Sequence, residues 1–332
     1  MRYVIYGAGA IGGVIGGRLA QHGRDVVLIA RGGHLAAIQR AGLVLESPVE
    51  RVTLPIPAVG SPAEVDWREG DAVVLAMKTQ DTEAALNQLA LVAPASTPIV
   101  CAQNGVENER LVLRRFANVY AQAVMLPATH LEPGVVQANS GSAITGVLDT
   151  GRYPAGSDPF AERFTADLEA SGFSSKPDPA VMRKKYAKLL MNLGNAYQAA
   201  CADQADREVT TEARAEAVAC YQAAGIDFAS EEEDRARRGD LIRVMPIAGQ
   251  RRSGGSSWQS LARGHRTIEA DYLNGEIVML GALHGVPTPV NRVLQRVANR
   301  LAAAGAAPGA MTLAELKAEI DAERRGAPAA AR

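Results

Sequence analysis

Short runs of β-branched and aliphatic residues alternate with helical patterns over the first part of the chain. Tyr3–Tyr6, Val26–Ala30, Ala72–Met77 and Ile99–Ala102 read as strands, and Ile11–His22, His34–Ala41, Thr82–Leu91 and Glu107–Phe116 as helices between or after them. That alternation predicts a parallel sheet covered on both faces. The rhythm then changes: Val119–Met125, Gly134–Ala138 and Ser142–Leu148 are strand-like with no helix between them, which predicts an antiparallel extension. A helix over Pro159–Ala170 and the loop SSKPDP follow. From about Ala180 the pattern is almost wholly helical, interrupted by SEEEDRARRGD and GQRRSGGSS. The expected class is α/β over 1–177 followed by an all-α domain over 178–332. The tail from Arg324, RRGAPAAAR, reads as disordered.

One helical stretch, YAKLLMNLGNA, lines up Lys188, Asn192 and Asn195 at i, i+4 and i+7, positions that stack on one face. Leu189, Leu190, Met191 and Leu193 should face the core. The polar ridge is either a solvated face or the wall of a polar cleft.

The sharpest local signal is YVIYGAGAIGG. Gly7, Gly9 and Gly12 form GxGxxG between a strand and a helix, the context that gives the pattern its meaning. Gly7 allows the tight turn, Gly9 lets the backbone reach a pyrophosphate, and Gly12 permits close helix–strand packing. With Ala8, Ala10 and Ile11 they make the expected phosphate-binding turn of a Rossmann-type dinucleotide-binding domain, at a helix N-terminus. An NAD site usually carries Asp or Glu at the end of the second strand, roughly 20 residues on. Here DVVLIARGG ends in Arg31, a guanidinium that can pair with a 2′-phosphate, so NADPH/NADP+ is the expected cofactor. Lys78 and Gln80 follow the strand Ala72–Met77, and Asn104 and Gly105 follow Ile99–Ala102. Open α/β sheets bind ligands outside the carboxyl ends of their strands, so these groups converge on one crevice. Later, SSWQSLARGHRTIEADYLNGEI places Glu269, Asp271 and Asn274 on a helical stretch backed by Ile268, Tyr272 and Ile277.

Length and charge narrow the reading further. A chain of 332 residues suits two domains. Its formal charge of −1 gives no electrostatic reason to expect nucleic acid or an anionic membrane. No apolar run reaches the roughly 20 residues of a membrane span, and no signal peptide is evident. Three cysteines, Cys101, Cys201 and Cys220, fit no zinc spacing and suit a reduced, cytoplasmic setting. The five histidines supply no metal-ligand spacing, so no metal is expected. No GxSxG or Cys–His signature supports nucleophilic catalysis.

In that order GAGAIGG, LIARG, MKTQ, QNGVENE, PGVV, YAKLLMN and SSWQSL…IEADYLNGEI make the chain resemble the ketopantoate reductase (2-dehydropantoate 2-reductase) family over nearly its whole length. The resemblance implies a dinucleotide-binding domain, an all-helical domain and an active site in the cleft between them. It implies NADPH-dependent reduction of a 2-oxo acid, ketopantoate to pantoate, on the route to pantothenate and coenzyme A. Lys188 matches the family's proton donor and Glu269 a glutamate at the cofactor and the lysine. Asn192 and Ser257 match substrate-binding residues, with Asn195 beside them, and Asn104 matches an asparagine serving cofactor and substrate. The family's second asparagine, eight residues after the lysine, is Ala196 here, and a further one has no counterpart in AYQAACADQADREV. Trp258 adds bulk beside the matched serine. Two alternatives stand beside this reading: a paralogue that reduces another 2-oxo acid, and a non-catalytic NADP(H)-binding redox sensor. Retention of Lys188 and Glu269 weighs against the sensor. The expected partner is a small 2-oxo acid, and a homodimer is left open.

Overall fold

The computed structural model describes residues 1–141, 144–202, 207–250 and 254–326. Two compact units form: Met1–Lys185 with Ala229–Arg252, and Tyr186–Phe228 with Ser253–Arg332. The first therefore runs eight residues past the expected change at 177/178 and takes back a later segment.

In the first unit the elements are β1 (Arg2–Tyr6), α1 (Ala10–Gln21), β2 (Asp25–Ile29), α2 (Gly32–Ala41), β3 (Leu43–Glu46), β4 (Arg51–Leu54) and β5 (Ala58–Val59). They continue with β6 (Asp71–Leu75), α3 (Thr82–Leu89), β7 (Ile99–Cys101), α4 (Asn108–Leu113), β8 (Val119–Met125), β9 (Ala128–Thr129), β10 (Val135–Ala138), β11 (Val147–Arg152) and α5 (Pro159–Glu169). Seven strands form the main sheet in the order β11-β8-β7-β6-β1-β2-β5. All of its pairs are parallel except β11 on β8, the expected antiparallel extension.

Alternation along each strand divides its side chains between two cores. Tyr3, Ile5, Val26, Leu28, Ala72 and Val74 pack with Val14, Ile15 and Leu19 of α1 and Phe164 and Leu168 of α5. Val4, Val27, Ile29, Val73 and Leu75 pack on the other face with Leu86 and Leu89 of α3 and Val112 of α4. Burial on both faces is why these strands read as continuous apolar runs.

A second sheet, β4-β3-β10-β9, was not legible in the sequence. The expected strand Gly134–Ala138 belongs here as β10, parallel to β3 and antiparallel to β9, instead of extending the main sheet. Leu43, Leu45 and Val136 join the α1 core, so α1 lies between two sheets. Every residue from Gly12 to Leu19 is accordingly buried. The last expected strand, Ser142–Leu148, starts late, at Val147; residues 142 and 143 lie outside the described residues.

The second unit is all-α. It holds α6 (Val181–Asn192) from Tyr186 onward, α7 (Gly194–Cys201), α8 (Arg207–Ala224), α10 (Ser256–Ala262), α11 (Asn274–His284), α12 (Pro289–Ala304) and α13 (Leu313–Gly326). Cys220, Tyr221, Ile277, Val293, Leu294 and Val297 are among its fully buried side chains. Helix α13 corrects the expected disordered start at Arg324: that residue is helical and pairs with Glu212 at 2.8 Å. Residues 327–332 of the tail, like 251–253 of GQRRSGGSS, lie outside the described residues. Among the described residues no helix is long and apolar enough to cross a membrane.

The acidic-then-basic helix α9 (Glu231–Arg238) returns to the first unit. Its Ser230 capping box fixes the start of the helix. Arg237 then clamps Asp149 of β11, Nε to Oδ2 at 2.8 Å and Nη2 to Oδ1 at 2.6 Å, and Lys184 Nζ donates to Oδ2 at 2.7 Å. Burial would push the Asp149 carboxyl up, but the hydrogen bonds from Arg237 and Lys184 outweigh it and hold the group below its usual range. A depressed carboxylate stabilises the fold above its unfolded pKa, about 3.9, and that share is lost as pH falls through the lower folded value. Asp149→Asn should lower the urea midpoint at pH 7 and flatten the fall in stability that wild type shows below about pH 4. Identical slopes of stability against pH in the two proteins would contradict this.

Candidate functional site

Strand order in the main sheet reverses between β1, which leads outward to β2 and β5, and β6, which leads the other way to β7 and β8. That switch point is where open α/β sheets take ligands, at the carboxyl ends of the strands. The turn after β1 is built for close approach. Gly7 has φ +101° and a Cβ there would lie 2.6 Å from the Met77 backbone nitrogen. A Cβ on Gly12 would lie 2.9 Å from side chains of Ile5 and Ala76, besides running into the Gly7 carbonyl. On Gly9 it would meet nothing within 4 Å, so that face of the turn is open. The N–H groups of Gly7 and Ala8 donate to the Ile29 carbonyl at 3.0 and 3.2 Å, tying the turn to β2. Gly9 caps α1 without a side-chain acceptor, and the first turn of α1 carries no acidic residue. Ala8, Ala10 and Ile11 complete the turn. Its steric and electrostatic character fits a bound pyrophosphate.

Around this turn the fold gathers the other expected groups of the first unit. Arg31 caps the start of α2 with its side chain 81% exposed, and it pairs with Asp81 at 2.9 Å. Sequence reasoning saw no carboxylate at the end of β2; tertiary structure brings one from the loop after β6. Lys78 and Gln80 are half-buried in that same loop, Lys78 capping the short 3-10 turn Thr79–Asp81. Asn104 follows β7, and its carbonyl accepts from Asn108 Nδ2 at 3.1 Å and Thr79 Oγ1 at 3.4 Å. Asn108 in turn receives Thr82 Oγ1 at 2.8 Å, and Thr82 receives Gln103 Nε2 at 2.7 Å. This buried polar web holds the Asn104 loop in place. Beneath it Lys185 pairs with Glu109 and donates to the Gln103 carbonyl at 3.1 Å.

In the second unit Lys188 is half-buried, Asn192 buried and Asn195 half-buried. The polar ridge is thus no freely solvated face. It is apolar Met191, expected inside, that is 48% exposed. The expected single helix is interrupted at Leu193, whose backbone nevertheless stays helical at φ −60°, ψ −29°. Asn274, 1% exposed, donates its carboxamide N–H to the Leu193 carbonyl at 3.1 Å and to Asn291 Oδ1 at 3.0 Å. A side-chain donor thus meets the helix carbonyl at the interruption. Asn195 Nδ2 lies 3.5 Å from Ser256 Oγ, and Gln198 Oε1 accepts from Gly255 N–H at 2.7 Å. Helix α7 therefore braces the start of α10, whose first turn carries buried Ser257. Glu269 is 3% exposed but does not share one helix with Asn274: Glu269–Tyr272 is a 3-10 turn, and α11 starts after the break at Leu273. Ala196, 3% exposed, is packed as core.

Comparison with known proteins covers both units. The family model described as Ketopantoate reductase PanE/ApbA matches residues 3–149, and its C-terminal counterpart matches 180–302. The 2-dehydropantoate 2-reductase of Pyrococcus horikoshii is 28% identical over 89% of this chain and 95% of its own length. That of Mesorhizobium japonicum is 29% identical over 87% and 94%. A crystal structure of a PanE/ApbA family ketopantoate reductase from Ralstonia eutropha JMP134 superposes with TM-score 0.76 at 28% identity, covering 92% of this chain and 99% of that one. A D-mandelate dehydrogenase solved with NADH and anilino(oxo)acetate shares the fold, with TM-score 0.76 at 22% identity over 98% and 100% of the two chains.

Proposed function

We propose that this chain, an oxidoreductase that belongs to the ketopantoate reductase family, reduces 2-dehydropantoate to pantoate with NADPH. The observation that carries the reading is the retention of a half-buried lysine and a buried carboxamide one turn apart, Lys188 and Asn192, in a chain whose first unit keeps the open glycine turn. Gly7, Ala8, Gly9, Ala10, Ile11 and Gly12 take the pyrophosphate, with Arg31, Lys78, Gln80 and Asn104 around the remainder of the nucleotide. When bound, the reduced nicotinamide supplies the hydride.

The chain's own task is charge management. As the C2 carbonyl is reduced, negative charge collects on its oxygen and needs both a proton and a nearby positive group. The Lys188 ammonium supplies both, and Glu269 orients it. Asn192 and Ser257 donate to the substrate's carboxylate or hydroxyl without adding charge; Asn104 and Asn195 complete the set. Steady-state NADPH oxidation with ketopantoate tests the proposal, and no turnover under any condition where the protein is folded would end it. A second reading rests on Ala196: its enclosed methyl cannot supply the carboxamide that family members often carry there. On that reading another 2-oxo acid is the better substrate, which a panel of 2-oxo acids ranked by kcat/KM decides.

Cofactor preference follows from Arg31. Binding a 2′-phosphate exchanges the Arg31–Asp81 pair, exposed and therefore worth about 0–1 kcal/mol, for a charge-assisted phosphate contact worth about 1.5–3 kcal/mol. Arg31→Ala should weaken NADPH far more than NADH. Asp81→Asn should tighten NADPH, because the competing carboxylate is gone. Equal titration curves for both reduced cofactors with wild type would refute the preference.

A further inference from the structure

His34 stands in the first turn of α2, three residues beyond Arg31 and outside every motif recognised in the sequence. Its ring joins three separated segments. The Gly134 N–H donates to His34 Nδ1 at 2.9 Å, and His34 Nε2 lies 2.7 Å from the Ala8 carbonyl oxygen. A backbone N–H can only donate, so Nδ1 is the bare nitrogen and Nε2 carries the hydrogen given to Ala8. His130 packs against the ring with centroids 4.2 Å apart, and its own Nδ1 meets the Val135 carbonyl at 2.9 Å.

We infer that His34 is a positioning residue for the dinucleotide: it fixes the Ala8–Gly9 peptide so that the turn presents its N–H outward. The reason is peptide geometry. The C=O and N–H of one trans peptide point in opposite directions. With the Ala8 carbonyl held toward His34, the Gly9 N–H is turned away from α2. The two preceding N–H groups are already committed to Ile29, so this peptide is the next one whose orientation decides what the turn offers an anion. The glycine face is open there. Without the histidine a Gly-rich turn is free to flip this peptide and would lose a donor in a fraction of its population. The inference rests on the proposed dinucleotide binding, and it adds a residue that holds the turn without touching the cofactor.

The experiment is calorimetric titration of NADPH into wild type, His34→Leu and His34→Gln. Glutamine can repeat both bonds, its amide N–H to Ala8 and its carbonyl to Gly134, whereas leucine fills the space and makes neither. Leucine should weaken NADPH roughly tenfold, the effect of a hydrogen bond lost beside a buried acceptor, and glutamine should restore binding to within about twofold. Equal weakening by both variants would show that ring packing on His130, and not the two bonds, is what matters, and would overturn the inference. Nitrogen-15 spectra of histidine-labelled wild type give an independent check that needs no variant to fold: His34 should carry its hydrogen on Nε2 alone, and an Nδ1–H tautomer overturns the assignment. If wild type takes up neither NADPH nor NADH, the proposed function itself fails and this inference with it. If wild type binds and His34→Leu binds as tightly, only this inference fails.

Discussion

Lys188→Ala is expected to retain NADPH binding and to lose at least about 10²-fold in kcat. Positioned general acids commonly contribute about 10²–10⁴-fold, and this residue is assigned both the proton and the positive charge that meet the reduced oxygen. The cofactor contacts assigned above lie almost wholly in the first unit, so affinity should survive. Glu269→Ala should impair both affinity and rate, because its carboxylate is assigned to cofactor and lysine alike. Asn192→Ala should raise KM more than it lowers kcat if its contact is equal in ground and transition states. The pH profile separates a proton donor from a binding contact. Activity should fall as the lysine deprotonates at high pH, and that limb should vanish in the alanine variant. A Lys188→Ala protein that reduces its oxo acid near the wild-type rate would return the polar ridge to a structural role.

The second large effect concerns stability. Lys185 and Glu109 have side chains only 3% and 0% exposed, and they pair beneath the Asn104 loop. Removing one partner leaves the other charge buried and uncompensated, which typically costs about 3–5 kcal/mol. Glu109→Leu or Lys185→Met alone should therefore lower the unfolding free energy of the first unit by about that much. The double variant should recover most of the loss, since an apolar pair of similar volume replaces a desolvated ion pair. It still deprives the Gln103 carbonyl of its donor, so recovery should stop short of wild type. The chain has two tryptophans, Trp67 in the first unit and Trp258 in the second. Urea unfolding in a Trp258→Phe background thus follows the first unit through Trp67 alone. Additive losses in the double variant would exclude a coupled pair.

The pattern of the chain made much of this legible. Strands buried on both faces announced themselves as apolar runs, because a parallel sheet covered by helices leaves no polar side. GxGxxG between β1 and α1 was readable for a different reason: turn, approach and packing each exclude a side chain, so glycine recurs at fixed spacing. What escaped notice depended on partners distant in sequence. Strands β3 and β4 are only four residues long each, and only their contact with α1 gives them a reason to exist. Asp81 lies 50 residues from Arg31, so no local window could foresee that pair. The bond from Asn274 to the Leu193 carbonyl was equally hidden, since the two lie 81 residues apart.

By itself, then, the sequence determined the α/β-then-α order, the open turn beside β1 and the residue types available for a proton and for a phosphate. Those properties are local: they follow from periodicity over a few residues and from the backbone demands of single glycines. Tertiary structure alone decided which helix the second sheet would enclose, which carboxylate meets Arg31, and which side of the Lys188 helix is buried. It also decided that His34, one unremarked histidine among five, would span three segments of the chain. Hydrogen bonds and desolvation act through space between groups whose separation in sequence carries no signal, so their outcome exists only once the chain has folded.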